Sequence, residues 1–238
     1  MELVDRLQVL LPPPKVRPQP TEQIQPSGML DSSLEFLVKR GFDQPLIEEW
    51  GILWNPDIPA VEIPAKDVEG KFVGYIWRMP QGEPKYRHPP GFPRAQFLFG
   101  LDRVSKEKEV ILTEGPLDAI WVQAAGSPGV AVLGSYLTEG QVLILQQAGV
   151  RSVTLCFDND PAGAVATELA TKLLRSAGFW VFRIDLPQKH KDIQDVPRTK
   201  MSAVLAQKHL CLNGIGVIHH RYRRWIEHEA QASGVWRY

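Results

Sequence analysis

Val110-Ile111-Leu112-Thr113-Glu114-Gly115-Pro116-Leu117-Asp118 is an unbroken apolar run that ends on a carboxylate and a glycine. Ser152-Val153-Thr154-Leu155-Cys156-Phe157-Asp158-Asn159-Asp160-Pro161-Ala162-Gly163 repeats the pattern and ends on two carboxylates. Short, continuously apolar runs followed by turn residues read as strands buried on both faces, the signature of a parallel sheet. In such sheets, sites form outside the carboxyl ends of the strands, which is where both runs place their acids. Asp158 and Asp160 are two residues apart, so in extended backbone they point to the same side. Carboxylates meeting at one sheet edge repel one another unless a cation lies between them. Oxygen-only ligands indicate a hard ion, Mg2+ or Mn2+.

Working outward, strand and helix alternate from residue 109. The expected strands are 109–114, 129–134, 152–158 and 179–186. The expected helices are 116–125, 139–148 and 161–177. Thr138 and Gln141 have capping-box spacing, and Pro161 suits the first helical position. Right-handed crossovers then give a doubly wound parallel sheet. The rows Val165-Leu169-Leu173 and Ala166-Ala170-Leu174 are core positions.

Ahead of that unit, Ser32 and Glu35 have capping-box spacing before a short helix that ends near Gly41. A second helix runs from about Gln44 to Trp50. Ala60–Lys66 and Lys71–Met79 read as a hairpin around Asp67–Gly70. Residues 12–28 hold six prolines and no apolar period, the composition of a linker.

The chain has 238 residues and no formal net charge. Its charge is unevenly spread. Residues 1–65 carry −5, residues 66–108 carry +4, residues 109–200 carry −2 and residues 201–238 carry +3. A basic block beside an acidic metal site is what a polyanionic substrate requires. No apolar run approaches the ~20 residues of a membrane span, and residues 1–11 do not resemble a signal peptide, so a cytoplasmic protein is expected. The two cysteines, Cys156 and Cys211, exclude a disulfide framework. Neither has a partner at zinc-binding spacing, and His219, His220 and His228 do not complete a zinc set.

Glu114-Gly115 after one strand and Asp158-Asn159-Asp160 after a later one resemble the Toprim domain shared by bacterial-type primases, topoisomerases and some nucleases. Glu114–Ile120, Phe157–Gly163 and Lys191-Asp192-Ile193-Gln194-Asp195 are similar to the versions in primases and phage primase-helicases. Lys39-Arg40-Gly41, Ile63-Pro64 through Asp67 and Gly70, Gly74-Tyr75 with Arg78, Pro84-Lys85-Tyr86 and Phe99-Gly100-Leu101 resemble, in order, the N-terminal subdomain of a primase catalytic core. His88 and Pro89 stand where the family usually has Asn-Ser. Arg94 is the nearest candidate for the family's second cation.

The resemblance implies an α/β protein with a Pro-rich segment over 1–28 and a basic α+β subdomain over 29–108. A Toprim domain follows over 109–200, then a basic helical tail over 201–238. It implies a divalent-metal-dependent nucleotidyltransferase that makes RNA primers from NTPs on single-stranded DNA. Glu114, Asp158 and Asp160 would be catalytic. The metal set would be Glu114, Asp118, Asp158, Asp160, Asp192 and Asp195. Arg78, Lys85, Tyr86, Arg87 and Arg94 would hold NTP or nucleic acid. Without a zinc ribbon, initiation is expected to need a partner that brings such a module, a replicative helicase or both. The alternatives are a Toprim nuclease and a non-catalytic nucleic-acid-binding module. Topoisomerase activity is disfavoured for want of a clear tyrosine nucleophile.

Each acid also has a plain structural reading. Glu114 and Asp158 suit helix entries, and Asp160 suits an N-cap.

Overall fold

A computed structural model describes residues 34–211. The expected linker over 12–28, Ser32, the histidines beyond 218 and the basic stretch Arg221–Trp225 lie outside the described residues. The backbone divides into two compact units, one formed within residues 1–64 together with Val73–Phe92, the other by Ala65–Phe72 together with the chain from Pro93 onward. Among the described residues no helix is long and apolar enough to cross a membrane.

The first unit begins with α1 (Glu35–Val38) and α2 (Gln44–Glu49). The cap position of α1 is Leu34, which offers no side-chain acceptor. Helix α2 is better defined. The Asp43 carboxylate accepts from the Leu46 amide at 3.1 Å, satisfying one of the donors that a helix start leaves unpaired.

A four-stranded sheet follows in the order β1 (Leu53–Asn55), β2 (Ala60–Lys66), β3 (Phe72–Arg78) and β4 (Tyr86–Arg87). Its alternation is clearest in β2, where Val61, Ile63 and Ala65 are fully buried. Between them, Glu62 accepts from Asn55 and from the Trp77 indole. The outer strands β1 and β4 are too short to show a period in the sequence.

The second unit runs β5 (Glu109–Thr113), α3 (Pro116–Ala124), β6 (Gly129–Ala131), α4 (Glu139–Gln147), β7 (Ser152–Leu155), α5 (Pro161–Ser176), β8 (Trp180–Arg183), α6 (Arg198–Leu205) and β9 (His209–Leu210). The sheet order is β6-β5-β7-β8-β9. The pairs β5–β6, β5–β7 and β7–β8 are parallel. The four expected strands form the parallel sheet, and a fifth that was not expected, β9, joins its edge antiparallel to β8 through Phe182↔Leu210 and Arg183↔His209. Antiparallel edge strands on parallel sheets are common, and two residues leave no pattern to read.

The unbroken apolar runs have a packing cause. Val110, Leu112, Val153 and Leu155 of the two central strands join Val130, Val181, Ala166, Ala170 and Leu174 in one core. The row Ala166-Ala170-Leu174 is the buried stripe of α5, whereas Leu169 and Leu173 are only half-buried. The thiols Cys156 and Cys211 are both buried and unoxidised fillers.

Strand β6 packs so closely on α3 that a Cβ at Gly129 would lie 2.6 Å from the Ala119 carbonyl oxygen and 2.8 Å from the Val122 Cβ. We expect Gly129→Ala to destabilise the protein by ~1–3 kcal/mol, the usual cost of overpacking. A thermal melt of the variant checks this; an unchanged Tm would show that the helix yields freely.

Candidate active site

The strands β5 and β7 are neighbours, so the residues just after their carboxyl ends emerge side by side. Glu114 follows β5, and its carbonyl accepts from Leu133 at 3.1 Å, which extends the ladder beyond β6. Its side-chain Oε1 accepts from the Asp158 amide at 3.0 Å, joining the two motifs directly. The approach of Asp158 to α5 needs a glycine. A Cβ on Gly163 would lie 2.0 Å from the Asp158 carbonyl oxygen. The proximity of Asp158 to the start of α5 therefore depends on a residue without a side chain.

The carboxylates crowd one another. Burial first, and the Asp158 charge second, push the Glu114 carboxyl up to about 7. Burial, then the Asp192 charge, push the Asp118 carboxyl up to about 7. A hard cation would relieve both effects, so the donor chemistry fits Mg2+ or Mn2+. As the side chains stand, no three acidic, histidine or cysteine groups among the described residues form a ready metal-holding cluster.

The six acids expected as ligands differ in their surroundings. Asp118 is 8% exposed and committed on both oxygens. Oδ2 accepts from the Gly115 amide at 3.1 Å and Oδ1 from the Gln194 amide. These two bonds hold the Asp118 side chain in the first turn of α3.

Asp160 caps α5 by accepting from Gly163 at 2.9 Å, so its plain structural reading is realised as well. Asp192 caps the short 3-10 turn Ile193–Asp195 through the Gln194 amide at 3.0 Å. Asp195 turns back to accept from the Lys191 amide at 2.6 Å and is exposed. That bond closes the turn.

Two amide side chains were not foreseen as site residues, Asn159 and Gln194. Asparagine in a turn was the only signal for the first. Gln194 had none.

The expected cations fall in two groups. In the first unit, Lys85 and Arg87 are exposed and Tyr86 is half-buried. Arg78 is enclosed. It is 8% exposed, its guanidinium lies between the Phe36 and Tyr86 rings at 5.0 and 5.2 Å, and it donates to the Met79 and Lys85 carbonyls. These contacts tie Arg78 to the segment that carries Lys85 and Tyr86. In the second unit, Arg94 is exposed on the 3-10 turn Arg94–Gln96, with its carbonyl held by Gln141 at 3.2 Å.

Comparison with known proteins agrees with this geometry. Residues 111–196 match the family described as Toprim-like. Residues 111–196 are therefore Toprim-like, and the chain is similar to DNA primases. Over 171 residues it is 33% identical to a DNA primase of Staphylococcus aureus, a match covering 64% of this chain and 28% of the staphylococcal protein. It thus spans under a third of the length of the curated relatives it matches.

Its fold is similar to the zinc-binding and RNA polymerase domains of the Aquifex aeolicus primase, with a TM-score of 0.65, 22% identity, and coverage of 76% of this chain and 57% of that one. It is also similar to a primase catalytic domain bound to ssDNA, with a TM-score of 0.61, 21% identity, and coverage of 75% and 72%. The Toprim-like match over residues 111–196 includes both Glu114 after β5 and Asp158 after β7.

Proposed function

We propose that this Toprim primase-like chain is a nucleotidyltransferase that builds RNA primers from NTPs on single-stranded DNA. The observation that supports this most is the bond from the Asp158 amide to Glu114 Oε1 at the carboxyl edge of the sheet, where burial first and the Asp158 charge second raise the proton affinity of Glu114. Glu114, Asp158, Asp160 and Asp192 would hold Mg2+ or Mn2+ there, with Asp118 and Asp195 supporting them. Such an ion, when bound, supplies positive charge to the triphosphate and to the departing pyrophosphate.

The protein's own share is orientation and charge. Lys85 and Arg87 offer a point charge and a planar fork to phosphate oxygens. Arg78 braces the segment carrying Lys85. Arg94 adds a further exposed cation. The ssDNA bound by the similar primase catalytic domain supports single-stranded DNA as the template.

The zinc-binding domain that accompanies the Aquifex primase supports a division of labour. Initiation must hold a template and two nucleotides together, so it depends on contact area more than extension does. We expect the chain to extend a supplied primer and to initiate poorly until a zinc-ribbon module or a helicase is added. Comparing de novo synthesis with primer extension on one template tests this. Efficient initiation by the chain alone would overturn the partner requirement. Failure of both reactions, with hydrolysis of the template, would favour a nuclease.

Lys85→Ala is expected to weaken binding of single-stranded DNA or NTP and to reduce the salt slope of DNA binding by ~1, leaving Mn2+ binding unchanged. Unaltered binding at low and moderate salt would remove Lys85 from the interface.

A further inference from the structure

Asn159 stands between the two aspartates of the Asp-x-Asp turn, and its side chain faces a different segment from theirs. Its amide nitrogen lies 3.3 Å from the Leu186 carbonyl oxygen, 3.4 Å from that of Pro187 and 3.1 Å from that of His190. Its backbone N–H donates to the Lys191 carbonyl at 2.7 Å. Three acceptors around one terminal atom fix the orientation of the amide, since only its NH2 end can donate to them.

The segment so held leads from β8 into the Ile193–Asp195 turn. Within it, His190 donates to Pro187 at 2.8 Å. Further along, the same stretch is tied to α3. The Trp121 indole donates to the Val196 carbonyl at 2.9 Å, and Arg198 lies over the Trp121 ring at 5.2 Å. Asp192 therefore sits between two attachments, Asn159 before it and α3 after it.

We propose that Asn159 is a positioning residue: it latches the 186–191 segment to the Asp-x-Asp turn and so sets where Asp192 stands relative to Asp158. The residue type suits the task. Aspartate would turn a further carboxylate onto carbonyl oxygens, and glycine would offer no donor. Asparagine gives two N–H groups without adding negative charge beside Asp158 and Asp160. This inference rests on the reading of Asp192 as part of the carboxylate set.

The test has two arms, both on the full chain. Hydrogen exchange reads the latch without any metal. In Asn159→Ala, the amides of His190, Lys191 and Gln194 are expected to exchange roughly tenfold faster or more, while those of Ile111 and Cys156 keep their rates. Titration with Mn2+ alone, followed by the paramagnetic resonance of the free ion, reads the consequence. Asn159→Ala is expected to bind about tenfold more weakly, and to cause no further loss when Asp192 is already Asn.

Unchanged exchange would overturn the latch. An equal loss of Mn2+ binding in the Asp192→Asn background would overturn its action through Asp192. If the unaltered protein binds no Mn2+, the metal-dependent function fails and the exchange arm alone decides the latch.

Discussion

Adding Mg2+ or Mn2+ should raise the melting temperature, and should raise it more at pH 8 than at pH 5.5. The Glu114 and Asp118 carboxyls both lie up at about 7, through burial first and neighbouring charge second. Between the usual carboxylate range and that value, the metal-free folded chain holds more protons than the unfolded chain. The contribution of these groups to stability therefore falls as pH rises through the window.

At pH 8 they are ionised and crowded, and a cation offsets the cost. At pH 5.5 protons already occupy the site and the cation must displace them. At a concentration about a hundred times the dissociation constant, binding is worth ~2.7 kcal/mol. For a chain of this size, that is roughly 5–10 °C. Paired melts with and without the ion at both pH values check the claim. An equal shift at both, or none at pH 8, would contradict it.

Asp158→Asn and Asp160→Asn should each lower nucleotide incorporation by roughly a hundredfold or more while the fold persists. The charge on Asp158 is the second cause of the raised Glu114 value. Removing it relieves repulsion, and the metal-free Tm should hold or rise. Asp160 caps α5 through Gly163, but asparagine caps a helix about as well as aspartate. The substitution therefore separates a capping duty from a catalytic one. If Asp160→Asn keeps full turnover with the same metal dependence, Asp160 is a cap alone. If both variants do, the acid edge is not catalytic.

The parallel sheet was legible because its central strands are buried on both faces and leave long apolar runs. Its carboxyl edge was legible because the acids sit directly behind those runs. The antiparallel strand β9 was not, since a two-residue edge strand has no period. Nor were β1 and β4, for the same reason.

The site divides along similar lines. Glu114 and Asp158 could be paired from the pattern because neighbouring parallel strands bring their ends together. Asp118 could not be assigned between ligand and support from spacing alone. Its bond from the Gln194 side chain was not legible either, since Gln194 is distant in sequence and meets it only after the 193–195 turn folds back. The enclosure of Arg78 was not legible, because the rings of Phe36 and Tyr86 that bury it come from other elements. Asn159 read as a turn residue, and its partners lie 27 to 32 positions further along.

The most direct test of the carboxylate edge is to supply Fe2+ in place of Mg2+ and let ascorbate and peroxide cut the backbone beside any bound ion. Cleavage is expected next to Glu114 and within Asp158–Asp160, with a further cut near Asp192, and excess Mg2+ should suppress all of them. Cleavage confined to other parts of the chain, or cuts at these positions that survive in Asp158→Asn and in excess Mg2+, would contradict a catalytic cation at this edge.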